Sequence, residues 1–294
     1  MATGRSGEAL GRRFVAGAPF AWVLLFLLAP LAIVFKISLA APLLAQPPFT
    51  PLWGEDGLQA SAGNYLLLLD DPLYRQAFLA SLRVAFVSTL VCFAIGYPMA
   101  YAIARARPAL RPVLLMLVVL PFWTSFLIRV YAWMGILNTT GLLNTALLGL
   151  GVIEAPLALL HTPFALHLGI VYGYLPFMVL PLYAALAGLD PRLLEAAGDL
   201  GARPIRAFVA VTLPLSLPGV LAGSLLVFIP AVGEFVIPDL LGGPDALMIG
   251  KVLWTEFFAI RDWPMAAALA VVLLVLLIGP ILVIQRTPAA KGAR

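Results

Sequence analysis

Long apolar stretches alternate with short polar ones along this chain, and the apolar stretches exceed what a globular core needs. Six are free or nearly free of Asp, Glu, Lys and Arg: near 14–40, 80–104, 112–137, 163–188, 207–232 and 264–285. A helix rises about 1.5 Å per residue, so about 20 apolar residues cross the hydrocarbon core of a bilayer. Each stretch meets that length, and the pattern predicts an all-α membrane protein with six transmembrane helices. The uncharged run 155–189 carries enough Pro and Gly to read as one span plus loop. Segments 41–77, 138–162 and 237–263 are richer in Pro, Gly, Asn and acids and read as connections.

Composition agrees. Of 294 residues, 63% are hydrophobic and 11% charged, whereas soluble domains carry about 25% charged residues. The net charge of +4 is small and its basic residues are scattered, which argues against nucleic acid as a partner. The single cysteine, Cys92, excludes an intrachain disulfide and a Cys-based metal site. His161 and His167 stand six apart, a poor helical metal spacing, so no metal is expected. Arg12 and Arg13 before an apolar run mimic a secretory signal. Phe14–Phe35, however, is 22 residues without a charge, longer than a signal core, and reads as an uncleaved first helix.

Charge sets the expected sidedness. With a cytoplasmic N-terminus, the inner segments hold Arg5, Arg12, Arg13, Arg105, Arg107, Arg111, Arg192, Arg203, Arg206, Arg286, Lys291 and Arg294. They hold only Glu8, Asp190, Glu195 and Asp199 of the 14 acids. Positive residues concentrate on cytoplasmic loops, so both termini are expected inside. The expected organisation is a cytoplasmic tail over 1–13, a six-span domain over 14–285 with a cytoplasmic loop at 189–206, and a cytoplasmic tail over 286–294.

That loop has its own local logic. Asp190-Pro191 reads as an N-cap followed by proline at the first helical position. Leu193, Leu194, Ala196, Ala197 and Leu200 favour a short helix, Gly201 suits a left-handed position that ends it, and Pro204 opens the next helix. By these features alone it is a helix–turn–helix on the cytoplasmic side, equally compatible with an ordinary connector. Its spacing is more specific. Glu195-Ala196-Ala197, three residues, Gly201, nine residues, then Val211-Thr212-Leu213-Pro214 resembles the EAA loop of ABC importer permeases, with Val211 where isoleucine is usual. The resemblance implies the type I ABC importer (MetI-like) permease fold. It also implies a coupling helix in which Glu195, Ala196, Ala197 and Gly201 meet an ATP-binding subunit.

No G-x-x-x-x-G-K-[ST] phosphate loop occurs, and Gly250-Lys251 lacks both the upstream glycine and the following hydroxyl. ATP and Mg are therefore expected on a partner ATPase, with no cofactor or metal in this chain. No HExxH, GxSxG or paired catalytic carboxylates lie within a span, so the chain is expected to transport and not to catalyse.

Three further stretches, LPFWTSFLIRVYAW from Leu120, YGYLPFMVLPLY from Tyr172 and GEFVIPDLLGGPDALMIGKVLWTEFFAIRDWP from Gly233, resemble the spermidine/putrescine importer permeases, most nearly the putrescine type. What the resemblance implies is one permease of a pair in a bacterial inner membrane, with two ATP-binding subunits and an extracytoplasmic polyamine-binding protein. The same machine carrying an opine, an aminophosphonate or iron is the nearest alternative; a self-sufficient secondary transporter is the alternative from another class. Polycations need carboxylates and aromatic faces in place of water. Glu234, Asp239, Asp245, Glu256 and Asp262, interleaved with Phe235, Trp254 and Trp263, supply both, although acidic outer loops also follow from excluding Lys and Arg. Asp239 lies in a segment that could equally be a gate or a binding-protein contact. Arg129, inside the third span, reads as a structural or gating residue paired with Glu234. A continuous helix would carry it about 26 Å from Pro112, towards the outer interface. Trp123, Tyr131, Tyr172 and Tyr174 are path candidates or interfacial anchors, and Pro214, Pro218 and Pro230 are candidates to bend the fifth span.

Overall fold

The computed structural model describes residues 17–54, 57–244 and 246–285. The tails 1–13 and 286–294 with their charges, residues 14–16 of the first expected span, and Asp245 lie outside the described residues. The chain divides into two compact units, one of residues up to Asp71 together with Leu253–Val275, the other of Pro72–Val252 together with the chain from Leu276 onward.

In the first unit, α1 (Gly17–Ser38) is an apolar helix with no buried residue across its most hydrophobic window. Exposed Phe20, Trp22, Leu25 and Phe26 suit a lipid environment. A π-helical turn at Leu24–Leu28 interrupts it. Its end is tied to α2 (Gly63–Asp70): the Ser38 hydroxyl pairs with the Tyr65 hydroxyl at 2.6 Å, and Asn64 Nδ2 donates to the carbonyls of Ser38 and Ala40 at 2.9 and 2.8 Å. Between them, β1 (Trp53–Gly54) and β2 (Gly57–Leu58) form a minimal antiparallel pair. The second stretch of this unit enters the last helix beside Trp263, which stacks on Phe257 at 5.1 Å and lies 6.2 Å from Phe49.

In the second unit, α3 (Pro72–Arg105) spans 34 residues. It begins eight residues before the expected start at 80, because hydropathy marks only the part that lipid would cover, whereas Leu73–Ala80 simply continues good helix formers. The third expected span, 112–137, is not one helix. It is α4 (Arg111–Trp123), whose last turn is 3₁₀, and α5 (Phe126–Leu137). Thr124 and Ser125 between them adopt ψ of 151° and 139°, which breaks the helix. Then follow α6 (Leu142–Gly149), α7 (Pro163–Ala187), α8 (Arg192–Asp199), α9 (Pro204–Val232), α10 (Val236–Leu240) and α11 (Ile249–Trp254). From Leu253 the chain belongs to the first unit again: the helix runs on as a π-helix over Thr255–Ile260 into a left-handed Arg261, before α12 (Trp263–Gln285), which returns to the second unit from Leu276. Helices Pro163–Ala187 and Pro204–Val232, both long and apolar enough to cross a membrane, and the helix from Trp263, whose apolar part Trp263–Gly279 is shorter, lie over the fourth, fifth and sixth expected stretches, and segments read as connections hold the short helices α2, α6, α10 and α11.

The core of this unit is where α3, α7 and α9 pack on one another, around Cys92, Tyr97, Met178, Val179, Leu182 and Val227. Gly219 and Gly223, four apart on one face of α9, permit that contact. A Cβ at Gly223 would lie 2.9 Å from the Met178 sulfur and 3.0 Å from its carbonyl oxygen; one at Gly219 would lie 2.6 Å from Ala185 Cβ. Lipid supplies no hydrophobic drive between helices, so such close backbone approach stabilises membrane bundles. The prolines of α9 leave it unbroken. A π-helical turn at Phe208–Thr212 precedes Pro214 and re-routes the backbone bonds there.

Candidate functional site

The loop between α7 and α9 folds as its residues require. Asp190 Oδ1 accepts the amide of Arg192 at 3.0 Å in a turn that leads into α8; Pro191, expected at the first helical position, takes the N-cap instead of Asp190, and the helix starts one residue later than expected. At the other end Gly201 has φ +79°. Its amide donates to the Gly198 carbonyl at 2.8 Å and that of Ala202 to the Ala197 carbonyl at 3.0 Å. These are the paired 5→2 and 6→1 bonds of a Schellman motif, which need a left-handed residue at this point. Pro204 then opens α9. Glu195 and Ala196 are exposed, Ala197 is half-buried, and nothing lies within 4 Å of a Cβ built on Gly201. Leu193, Leu200 and Ile205 are exposed as well. The product is a short helix with a carboxylate, small residues and apolar side chains on open display.

A second cluster forms where α9 ends. Glu234 is 7% exposed. Its Oε1 accepts the amides of Phe235 at 3.1 Å and Val236 at 3.0 Å, and its Oε2 accepts a short hydrogen bond from the Tyr174 hydroxyl. A buried carboxylate is tolerable only with such compensation. From Tyr174 a line of rings continues to Phe177 at 6.1 Å, then Phe122 at 5.3 Å. The Arg129 guanidinium stands over Phe122 at 4.7 Å and Phe126 at 5.8 Å.

The structure thus brings Glu234, Tyr174 and Arg129 into one array, but not as the expected ion pair. Arg129 Nη1 donates to the Pro121 carbonyl at 3.0 Å. That carbonyl belongs to the turn before the break at Thr124-Ser125, where it also accepts from the Thr124 amide at 3.3 Å and the Thr124 hydroxyl at 2.8 Å, so the arginine is a third donor that ties α5 back to the end of α4. An ion pair does join Asp239 to Lys251, at 3.2 Å. The break also removes the continuous rise that placed Arg129 near an interface.

Asp239 sits on α10, whose Ile237 and neighbouring Leu241 seat against Gly169 of α7, where a Cβ would meet them at 2.8 and 2.6 Å. Trp123 and Tyr131 are 73% and 56% exposed, outside the array, while Tyr172 packs edge-on to Trp133 at 5.4 Å. Glu256 is buried in the π-helix, and Asp262 caps α12 by accepting the Met265 amide at 2.9 Å. The histidines are bound within the fold: His167 Nδ1 pairs with the Ser88 hydroxyl at 2.9 Å, and His161 Nδ1 with the Gly242 carbonyl at 3.2 Å. Sequence reading missed Phe122, Phe126 and Phe177, which link the charged groups. The signal available was Pro121 and Thr124-Ser125 in mid-span, a helix-breaking set.

The family model for the binding-protein-dependent transport system inner membrane component matches residues 92–284. The spermidine/putrescine transport system permease protein PotB of Haemophilus influenzae is 43% identical over 260 residues, covering 88% of this chain and 87% of that one. The PotB protein of Escherichia coli is 47% identical over 214 residues, 73% of this chain and 78% of its own. Among solved structures, a bacterial alginate ABC transporter in complex with an alginate pentasaccharide-bound periplasmic protein superposes with a TM-score of 0.70 at 19% identity, covering 95% of this chain and 96% of that one. At that identity the likeness concerns the fold, and it is the ABC importer permease fold that the EAA spacing implied. By its sequence along most of its length and by its helical architecture, the chain belongs to the family of binding-protein-dependent transport system inner membrane components, the multi-pass permeases of ABC importers.

Proposed function

We propose that this chain is one permease of an ABC importer that carries polyamines, putrescine or spermidine, across a bacterial inner membrane. The observation that carries the cargo is its 43% identity, over 88% of its length, to a permease named for spermidine and putrescine. Both termini face the cytoplasm in this reading, as does α8. A second permease completes the path, two ATP-binding subunits grip the two coupling helices, and an extracytoplasmic binding protein delivers the polyamine. ATP and Mg belong to those motor subunits.

The chain's residues then divide the work. Glu195, Ala196, Ala197 and Gly201 present a rigid, small-faced helix that transmits the motors' closure into α9. The exposure of that helix and its Schellman end support this role. Glu234 supplies negative charge in a dry setting, with Tyr174, Phe177 and Phe122 beside it. Cation–π contact contributes about 0.5–2 kcal/mol per ring, so a flexible diamine leaving water meets replacement partners along this line. Arg129, engaged by the Pro121 carbonyl and two rings, braces the broken third span. Asp239 with Lys251 fastens α10 beside α11 as a gate element, and exposed Trp123 and Tyr131 flank the path.

The test is uptake of labelled putrescine and spermidine in cells lacking polyamine import, with the chain expressed beside its partner subunits. ATP-dependent uptake that disappears in Glu195→Lys, with membrane levels unchanged, is expected. ATPase activity that responds to the permease without uptake of either polyamine would overturn the cargo. Uptake without any ATPase would overturn the coupling role.

A further inference from the structure

A cavity of about 370 Å³ opens among α3, the start of α7 and residues 243–244 and 246–248, lined by Arg83, Val84, His161, Leu166, His167 and Met248 with their neighbours. Its chemistry is one-sided. Arg83 gives it a fixed positive charge, and no acid lines it among the described residues. Arg83 is exposed and forms no hydrogen bond or ion pair among the described residues. The amino end of α7, a 25-residue helix, opens beside it at Thr162 and Pro163, so the helix dipole adds to the positive field.

Its level in the membrane identifies the ligand. Arg83 and Arg105 lie on the same unbroken helix, 22 residues apart, which is about 33 Å at 1.5 Å per residue. That separation matches the hydrocarbon thickness of about 30 Å. Arg105 at the carboxyl end of α3 therefore sits at one headgroup level and Arg83 at the other. The anion present there at high local concentration is lipid phosphate. The surface on the Arg105 side of Arg83 agrees: Phe86 and Leu90, at helical spacing from it, are 64% and 56% exposed, and they continue the same face of α3 towards the membrane centre, as an acyl chain would run.

We infer that this cavity is a binding site for the phosphate group of an anionic phospholipid, with Arg83 as its principal ligand and the His167 ring, whose Nδ1 pairs with Ser88, as a further N–H donor. Guanidinium suits this role because its planar fork meets two phosphate oxygens together. The site is separate from cargo and motor contacts, and it makes the importer sensitive to the lipid composition around it.

The test uses the full chain, purified with the subunits that accompany it, and counts bound lipid by native mass spectrometry after exposure to phosphatidylglycerol or phosphatidylcholine. Preferential retention of phosphatidylglycerol is expected. Arg83→Gln should reduce that preference about fivefold, the factor corresponding to one basic residue near a lipid surface. Arg83→Lys should keep most of it, and Arg75→Gln, on the same helix but outside the cavity, should leave it unchanged. Equal retention of the two lipids would overturn the inference, as would an equal effect of Arg75→Gln. Inorganic phosphate that displaces the lipid and raises the melting temperature as much as the lipid does would reassign the cavity to a free anion. A preference that emerges only in Asp245→Asn would show that the chain's own carboxylate occupies Arg83.

Discussion

Gly201 offers a perturbation whose size follows from geometry alone. At φ +79° the residue is left-handed, and nothing within 4 Å would obstruct a side chain. Gly201→Ala therefore costs backbone strain without a clash, about 1–2 kcal/mol for an L-residue in this region. The strain falls on the last turn of an eight-residue helix held by the two Schellman bonds. If α8 must be preformed to meet its motor, an energy of this size lowers the competent population about five- to thirtyfold. Asn, which visits left-handed conformations more readily, should recover most of the loss, and Val, β-branched, should deepen it. The assay is ATP-driven polyamine uptake in vesicles containing the whole assembly, beside the melting temperature of the purified permease. The melting temperature should barely move, since the strained turn is local and exposed, while uptake follows the order Gly, Asn, Ala, Val. Uptake unchanged in Gly201→Ala would refute the argument. An equal loss in the Asn and Ala variants would refute it too, because side-chain volume against the partner, and not φ, would then decide.

Three further outcomes are expected. Tyr174→Phe removes a donor from the buried Glu234 carboxylate and should destabilise the permease by about 1.5–3 kcal/mol, read as a lower thermal midpoint. Glu234→Gln should be milder than Glu234→Ala, which leaves the Tyr174 hydroxyl and two amides without their acceptor; thermal unfolding of the three variants gives the order. Gly223→Val presses a branched side chain onto the Met178 backbone and should cost about 1–3 kcal/mol or more, with Gly223→Ala smaller, measured as loss of folded protein in detergent.

Much of this was legible along the chain. The fourth span, expected over 163–188 and observed as Pro163–Ala187, shows why: hydrocarbon excludes charge residue by residue, so its edges are written locally. The short helix α8 was legible for a related reason. Capping, the Gly201 bend and the Pro204 restart are short-range backbone chemistry, and each residue there can be read from its immediate neighbours. The third span was not. An apolar run from 112 to 137 looks continuous because hydropathy carries no information about ψ at Thr124 and Ser125, where the Pro121 carbonyl accepts from Thr124 and, from beyond the break, Arg129.

By itself, then, the sequence determined the membrane class, the approximate places of most long apolar helices and the short helix α8, since all of these depend on the solvent each residue tolerates or on chemistry within one turn. Only the tertiary structure decided what the buried charges do. Glu234 takes Tyr174 from 60 positions away and leaves Arg129 to the rings and a carbonyl, and Gly219 and Gly223 become a helix contact only where α7 meets them. In a medium without water, a polar group binds whichever partner the packing places within reach, and that choice is made in space.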